Sequence, residues 1–239
     1  MRLLRYLPES WKESLRRRAG VITVRERLEN LRAAGFRARK VIDAGAYQGD
    51  WSRLVLEVFP GAETLMIEPQ TTHREALTAL TVAHPGVKLR HAVLGARARK
   101  VRFLIEASNS RVIPPHWDPP AGSRIEEHEL ETLAEIAAEE GFTECNLLKL
   151  DLQGEELEAL SGAGEMFGRC EVIITEASWL RIGDVPLAHE VIARFDAAGY
   201  RLYDVFGHNY RALDRALWQT DFIFVRKDSS LIADLRWSA

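Results

Sequence analysis

From residue 40 onward, short apolar runs alternate with longer segments of helical periodicity. A chain with this pattern buries its strands in a parallel sheet and packs its helices on both faces. Continuous apolar stretches such as VIIT fit strands that are covered on both sides. The predicted strands are 40–45, 63–69, 87–95, 146–154, 171–177, 200–206 and 220–226, and the predicted helices are 50–59, 72–84, 129–141, 155–164 and 186–199.

The end of the chain departs from this alternation. The last two predicted strands have no strong helix between them, which predicts a final antiparallel pair. Residues 100–107 alternate in polarity and predict an added strand, whereas four prolines keep the segment 108–124 out of regular structure. The sequence therefore predicts a doubly wound α/β fold with a mostly parallel sheet.

Charge is distributed unevenly along the chain. Residues 1–40 contain 12 Lys and Arg against 4 Asp and Glu, whereas the remaining residues contain 20 against 31. We predict a basic helical N-terminal arm, 1–39, followed by a second domain, 40–239. The arm is expected to pack on its own acidic body or on a second copy of the chain, with an acidic partner or a membrane surface as the alternative. An acidic body repels phosphates, so no nucleic-acid partner is predicted.

The composition excludes several classes of protein. No apolar run approaches the roughly 20 residues that a membrane span requires. The N-terminal segment lacks the apolar centre of a secretion signal, and Cys145 and Cys170 do not have the spacing of a metal site. These features predict a cytoplasmic protein with reduced thiols and no membrane span.

The segment VIDAGAYQGDW, 41–51, predicts a ligand site. In an open α/β sheet, ligands bind beyond the carboxyl ends of the strands, where the turn that contains Gly45 and Gly49 should lie. Glycines in such a turn allow a ligand to approach the main chain. Glu68 ends the second strand, where an acid can accept hydrogen bonds from the two hydroxyls of a ribose.

Two classes of ribose-bearing cofactor compete for this turn. A dinucleotide favours G-x-G-x-x-G, but this chain has G-A-Y-Q-G, and Asp50 at the helix start would repel a pyrophosphate. Asp43 instead suits a cofactor that has an ammonium group. S-adenosylmethionine (SAM) has an ammonium, a sulfonium and a ribose but no phosphate, and it is the predicted cofactor.

Several motifs resemble one family in this order: VIDAGAYQGDWS, IEP, AVLG, SNS and LLKLDLQGEELEALSGA. Over residues 40–226 the chain resembles the FkbM family of SAM-dependent methyltransferases. The resemblance implies a class I methyltransferase domain with a seven-stranded sheet, and an oxygen acceptor on a small molecule, a sugar or a natural-product intermediate. Gln153 departs from the family, in which many members have Glu.

The cofactor residues are assigned by position. Asp43, Gly45, Ala46, Tyr47 and Gly49 are assigned to the methionine end of SAM. The other predicted cofactor residues lie at later strand ends and are Glu68, Gln70, Ala92 and Asp151.

The catalytic residues are assigned from the fourth and fifth strands. Asp151 and Glu176 are candidates to orient the acceptor or remove its proton, and Lys149 lies on the same strand face as Asp151. The two acids offer no third ligand, so no metal is predicted. Further candidate bases are His116, His189 and His208. Trp117 in the proline-rich segment is expected in a lid over the substrate, with an exposed connection as the alternative.

The residues alone leave two other functions as alternatives. A nicotinamide-dependent oxidoreductase is the alternative enzyme, although it lacks its usual glycine pattern. The other alternative is a non-catalytic module that binds SAM.

Overall fold

The fold is described by a computed structural model for residues 23–234 and 236–237. Seven strands form the main sheet, in the order β10-β11-β9-β8-β1-β2-β3. The members of this sheet are β1 (Lys40–Ala44), β2 (Glu63–Ile67), β3 (Val87–Arg90), β8 (Leu147–Leu150), β9 (Val172–Ser178), β10 (Tyr200–Tyr210) and β11 (Leu217–Arg226).

The main sheet has the predicted architecture. Strands β3, β2, β1, β8 and β9 pair in parallel, whereas β11 is antiparallel to both β9 and β10. The doubly wound prediction, the seven strands and the final antiparallel pair are therefore confirmed. Because the parallel strands all run one way, the residues that follow β1, β2, β8 and β9 lie along one edge of the sheet.

Helices cover both faces of this sheet. Two large apolar clusters separate the strands from the helices, one containing Leu31 and Val55 and the other containing Ile136 and Phe195. The helices are α1 (Val24–Ala33), α2 (Asp50–Val58), α3 (Arg74–Ala83), α4 (Leu133–Glu140), α5 (Glu156–Ser161), α6 (Glu165–Arg169) and α7 (Ala188–Ala197).

A second sheet of four strands was not predicted. Its order is β4-β7-β5-β6, and its members are β4 (Val93–Leu94), β5 (Lys100–Ile105), β6 (Arg111–Val112) and β7 (Arg124–Glu131). The predicted strand 87–95 is thus divided, because β3 joins the main sheet while β4 pairs with β7. The proline-rich segment is also less irregular than expected, since β6 lies within it.

The predicted helix 129–141 begins too early. Residues 129–131 belong to β7, and α4 starts at Leu133. The start is fixed by a capping box, in which the Thr132 side chain accepts from the Glu135 backbone N–H and the Glu135 carboxylate accepts from the Thr132 backbone N–H. Gly141 ends this helix in the left-handed conformation, as predicted.

Helix α1 is the described part of the basic arm. Leu28 and Leu31 are buried against α2 and the strands behind it, and Arg27 forms an ion pair with Asp204 at 3.0 Å. This part of the arm therefore packs on its own body. The rest of the predicted arm, 1–22, and its pairing with a second copy lie outside the described residues, and the division at residue 39 stays a prediction. No helix within residues 23–234 is long and apolar enough to cross a membrane.

Candidate functional site

A cavity opens at the carboxyl edge of the main sheet. Its floor comes from the residues that follow β1, β2 and β8, and its far wall comes from β5 and β6 of the second sheet. The predicted cofactor residues that line it are Gly45, Tyr47, Glu68, Gln70, Ala92 and Asp151. Residues separated by about a hundred positions in the sequence are thus brought to one cavity by the strand order.

Gly45 lies where two strand exits come into contact. Its φ is +83°, and a Cβ on this residue would be 2.0 Å from the carbonyl oxygen of Asp151. Its N–H donates to the Ile67 carbonyl at 2.9 Å, which ties the turn to β2 as well. Only glycine fits this position, because a side chain would separate β1 from β8.

Ala46 and Gly49 do not line the cavity. Ala46 is buried, and its N–H donates to the Ile67 carbonyl at 3.1 Å. Gly49 precedes α2 with φ +82°, and a Cβ there would lie 2.5 Å from Leu80 Cδ1. Both residues shape the turn from behind, and their direct contact with a cofactor stays a prediction.

Glu68 is held rigidly at the cavity floor. One carboxylate oxygen accepts from the Tyr47 N–H at 2.8 Å, and the other accepts from the Gln70 N–H at 2.9 Å. The residue is 3% exposed, and burial raises the pKa of its carboxyl against the lowering effect of these two hydrogen bonds. Each oxygen keeps further acceptor capacity, so a ligand with two adjacent hydroxyls could bind both.

Backbone strain is concentrated around the cavity. Four described residues other than glycine have positive φ, and two of them, Tyr47 at +49° and Gln153 at +55°, line the cavity. A third, Ala107 at +50°, accepts a hydrogen bond from the Gln70 side chain at 3.1 Å. Strained backbone of this kind persists where the surrounding structure imposes it, and it is often found at ligand sites.

Lys149 lies between two acids. Its Nζ is 3.4 Å from Asp43 Oδ1 and 3.3 Å from Asp151 Oδ2. Burial favours the neutral amine, but the charges of Asp151 and Asp43 outweigh this effect and raise the pKa of Lys149. Asp43 is completely buried, also accepts from Ser52 Oγ at 2.7 Å, and does not border the cavity. Its predicted contact with the cofactor stays a prediction.

Glu176 and Asp221 add two more acids behind Asp151. The two residues are partners across the antiparallel β9–β11 pair, and Glu176 accepts from Gln219 Nε2 at 2.6 Å. Burial and the nearby charge of Asp151 raise the pKa of Glu176 to about 8 and that of Asp221 to about 7. The sequence analysis does not name Asp221. An acid directly before the apolar run FIFV, 222–225, could have indicated a buried carboxylate there.

Glu156 organises the loop that contains Asp151. Its carboxylate accepts from the Leu152 N–H at 2.8 Å and from the Gly154 N–H at 3.1 Å. Burial raises the pKa of Glu156 to about 7. The loop is further tied by Gln153, whose Nε2 donates to Asp151 Oδ1 at 3.0 Å. Asp151 is thus the exposed member of a fixed group of acids, with its side chain 41% accessible.

A second cavity adjoins the first. Val112, Gln153 and Glu155 line both cavities, and the second has a volume of about 420 Å³. Trp117 and His116 of the proline-rich segment line the second cavity, and the lid stays a prediction. His189 and His208 are exposed and line neither cavity. Within the described residues, no cluster of three or more His, Cys, Asp or Glu could hold a metal ion.

Comparisons with known proteins identify a family. A family model described as the methyltransferase FkbM domain matches residues 43–202. No curated protein matches the chain.

Solved structures resemble this chain only distantly. One is a precorrin-6y C5,15-methyltransferase from Geobacter metallireducens GS-15, at 12% identity over 87% of this chain and 90% of that chain, with a TM-score of 0.48. Another is an O-methyltransferase family protein from Burkholderia thailandensis, at 15% identity over 84% of this chain and 55% of that chain, with a TM-score of 0.47. A third is a TehB-like SAM-dependent methyltransferase from Corynebacterium glutamicum, at 13% identity over 92% of this chain and 97% of that chain, with a TM-score of 0.40.

Proposed function

The chain belongs to the FkbM methyltransferase family, and on this premise we propose that it methylates a hydroxyl oxygen of a small molecule with SAM as the donor. The observation that carries the proposal is the cavity in which Glu68 and Asp151 lie on opposite sides of the Gly45 turn.

The residues of the first cavity fit SAM. Glu68 would bind the two ribose hydroxyls, because its carboxylate is fixed by two backbone N–H groups and lines the cavity. Asp151 would attract the ammonium and sulfonium groups, because its carboxylate is the exposed member of this group of acids and lines the cavity. When bound, SAM supplies an electrophilic methyl group attached to positively charged sulfur.

The same turn argues against a dinucleotide. Helix α2 begins with Asp50, so a carboxylate lies in the first turn, where a pyrophosphate would need to bind. Tyr47 narrows the turn that glycines would open in a dinucleotide site. These contacts support SAM over a nicotinamide cofactor.

Asp151 is placed to accept the acceptor's proton. In the proposed reaction, the acceptor O–H bond breaks and its proton would move to Asp151, while the oxygen would gain the methyl group as the methyl–sulfonium bond breaks and S-adenosylhomocysteine leaves. Lys149 holds Asp151 in position at 3.3 Å. Glu176, with a pKa of about 8, is mostly protonated at pH 7 and leaves Asp151 as the exposed acid for this step.

The test compares Glu68→Gln with Glu63→Gln. Glu63 is exposed at the start of the same strand, so its variant controls for loss of one carboxylate. We expect wild-type protein and Glu63→Gln to bind S-adenosylhomocysteine equally by calorimetry. Glu68→Gln should bind it roughly tenfold or more weakly, because hydrogen bonds to a charged group contribute about 1.5–3 kcal/mol.

Three outcomes would count against the proposal. Binding of NAD or NADP without binding of S-adenosylhomocysteine would support the oxidoreductase alternative. Equal affinity of wild type and Glu68→Gln would remove Glu68 from the site. Cofactor binding without methylation of any hydroxyl compound would favour the non-catalytic module.

A further inference from the structure

We propose that the second cavity is the acceptor site and that its acceptor is an uncharged sugar ring. The inference rests on the proposed function, because it assigns the acceptor of that same reaction. The two cavities share the wall formed by Val112, Gln153 and Glu155, so a compound in the second lies next to a cofactor in the first. A volume of about 420 Å³ falls in the usual range for small-molecule sites.

Two tryptophan residues line the second cavity. Trp117 comes from the proline-rich segment and Trp218 from the start of β11. The Arg111 guanidinium lies over the Trp117 ring at 5.2 Å, which fixes that side chain against the second sheet. The flat, apolar faces of indoles pack well against the C–H face of a pyranose, and their rigidity keeps the entropic cost of this contact low.

Neutral polar side chains supply the rest of the lining. Asn109, Ser178 and the amides of Gln153 and Gln219 all reach the cavity. Gln153 and Gln219 each donate one N–H to an acid, Asp151 and Glu176 respectively. Among the hydrogen bonds of the described residues, neither amide oxygen accepts a bond, and the side chains of Asn109 and Ser178 form none.

This arrangement suits several neighbouring hydroxyls. An amide offers a donor and an acceptor close together, and a hydroxyl both donates and accepts, so a ring with adjacent hydroxyls can satisfy these groups in pairs. A simple phenol has one such group and would leave most of the cavity's polar atoms unpaired. Polar atoms that a bound ligand covers without pairing weaken binding, which favours the sugar.

The two cationic side chains that line the cavity are already paired. His116 Nε2 lies 2.7 Å from Asp184 Oδ2, and Arg111 lies 3.0 Å from Glu106. Glu155 has its carboxyl pKa raised by burial. A phosphate or carboxylate on the acceptor would find no free cation here, so the ring is expected to be neutral.

The His116–Asp184 pair also indicates how the ring is covered. It joins the proline-rich segment to the loop that follows β9, and both segments line the cavity. Trp117 is thus held over the cavity from two sides, by Arg111 and through its neighbour His116. Loss of the Trp117 indole should weaken binding of the acceptor and leave cofactor binding in the first cavity unchanged.

The experiment measures binding to protein saturated with S-adenosylhomocysteine. The probes are methyl glycosides of common hexoses and 6-deoxyhexoses, and for comparison phenol and catechol, screened by saturation-transfer NMR and then titrated by calorimetry. We expect a methyl glycoside to bind. Trp117→Ala should weaken the binding of this glycoside by about tenfold or more, which corresponds to about 1.4 kcal/mol. The same variant should change the affinity for S-adenosylhomocysteine less than twofold.

Trp237→Ala is the matched control, because Trp237 is fully exposed and lines neither cavity. If Trp117→Ala fails to fold, Asn109→Ala replaces it, with the same direction expected. Binding of phenols alone, binding of no probe, or equal glycoside affinity in wild type and variant would each overturn the sugar assignment. These results leave the proposed function standing, whereas failure of the wild type to bind S-adenosylhomocysteine would overturn both.

Discussion

Gly45→Ala tests whether the contact between β1 and β8 shapes the site. The new Cβ would lie 2.0 Å from the Asp151 carbonyl oxygen, well inside the ordinary contact distance of 3.4 Å or more. The turn cannot easily yield, because the Gly45 N–H donates to Ile67 at 2.9 Å and the Asp151 N–H donates to Ala44 at 3.0 Å. The strand exits must therefore separate.

The expected loss of stability has two parts. Positive φ on a residue with a side chain costs about 1–2 kcal/mol. Separating the strand exits breaks at least one buried backbone hydrogen bond, which adds roughly 1–3 kcal/mol. We expect Gly45→Ala to lose about 2–5 kcal/mol of stability from these two parts together and to bind S-adenosylhomocysteine poorly.

Gly61→Ala isolates the first part. Gly61 has a similar φ of +88°, and a Cβ there would meet nothing within 4 Å. Urea unfolding followed by circular dichroism gives both free energies of unfolding. Equal losses in the two variants would refute the contact argument, as would a Gly45→Ala protein that retains both stability and wild-type cofactor affinity.

Two further predictions concern the buried charges. Lys149→Met should destabilise the fold by about 3–5 kcal/mol, because Asp43 is completely buried and would lose its cation. Lys88→Met, which breaks an exposed ion pair, is the control. Equal free energies of unfolding for the two variants would contradict this prediction. The folded protein keeps a proton on Glu176 up to about pH 8, whereas the unfolded chain loses it near pH 4.5, so stability should fall as pH rises between these values. For this group, the free energy of unfolding changes by at most about 1.4 kcal/mol per pH unit. Glu176→Gln should reduce the difference in this free energy between pH 6 and pH 8, measured by urea unfolding. An unchanged difference would contradict the raised pKa of Glu176.

The sequence predicts the main sheet because its strands are local apolar runs with clear boundaries. The Gly45 turn and Glu68 follow from the same reasoning, since both are defined by strand ends. The second sheet is not predicted, because β7 is polar along most of its length and its last three residues have the pattern of the helix that follows. Its pairings with β4 and β5, which the local sequence pattern does not indicate, make it a strand.

The acid cluster shows the same limit. Asp151 and Glu176 follow from their places at strand ends, but the pKa of Glu176 is raised by burial and by the charges of Asp151 and Asp221, and Asp221 reaches Glu176 only through the antiparallel β9–β11 pair. Asp43 lies behind Lys149 and accepts from Ser52, so its predicted contact with the cofactor stays a prediction. Which side of a strand end a carboxylate occupies depends on the turn that follows, and hydrophobic patterns do not specify that turn.

The strand order has a consequence for biosynthesis. Strand β11 is translated after every other strand of the main sheet, yet it lies between β9 and β10. Until it leaves the ribosome, the edge of β9 that carries Ile173 and Ile174 has no partner, and β10 has no place to attach. Unpaired apolar edges promote association between chains. The nascent protein should therefore depend on chaperones until residues 217–226 have left the ribosome, and a ribosome stalled before that point should hold an aggregation-prone intermediate.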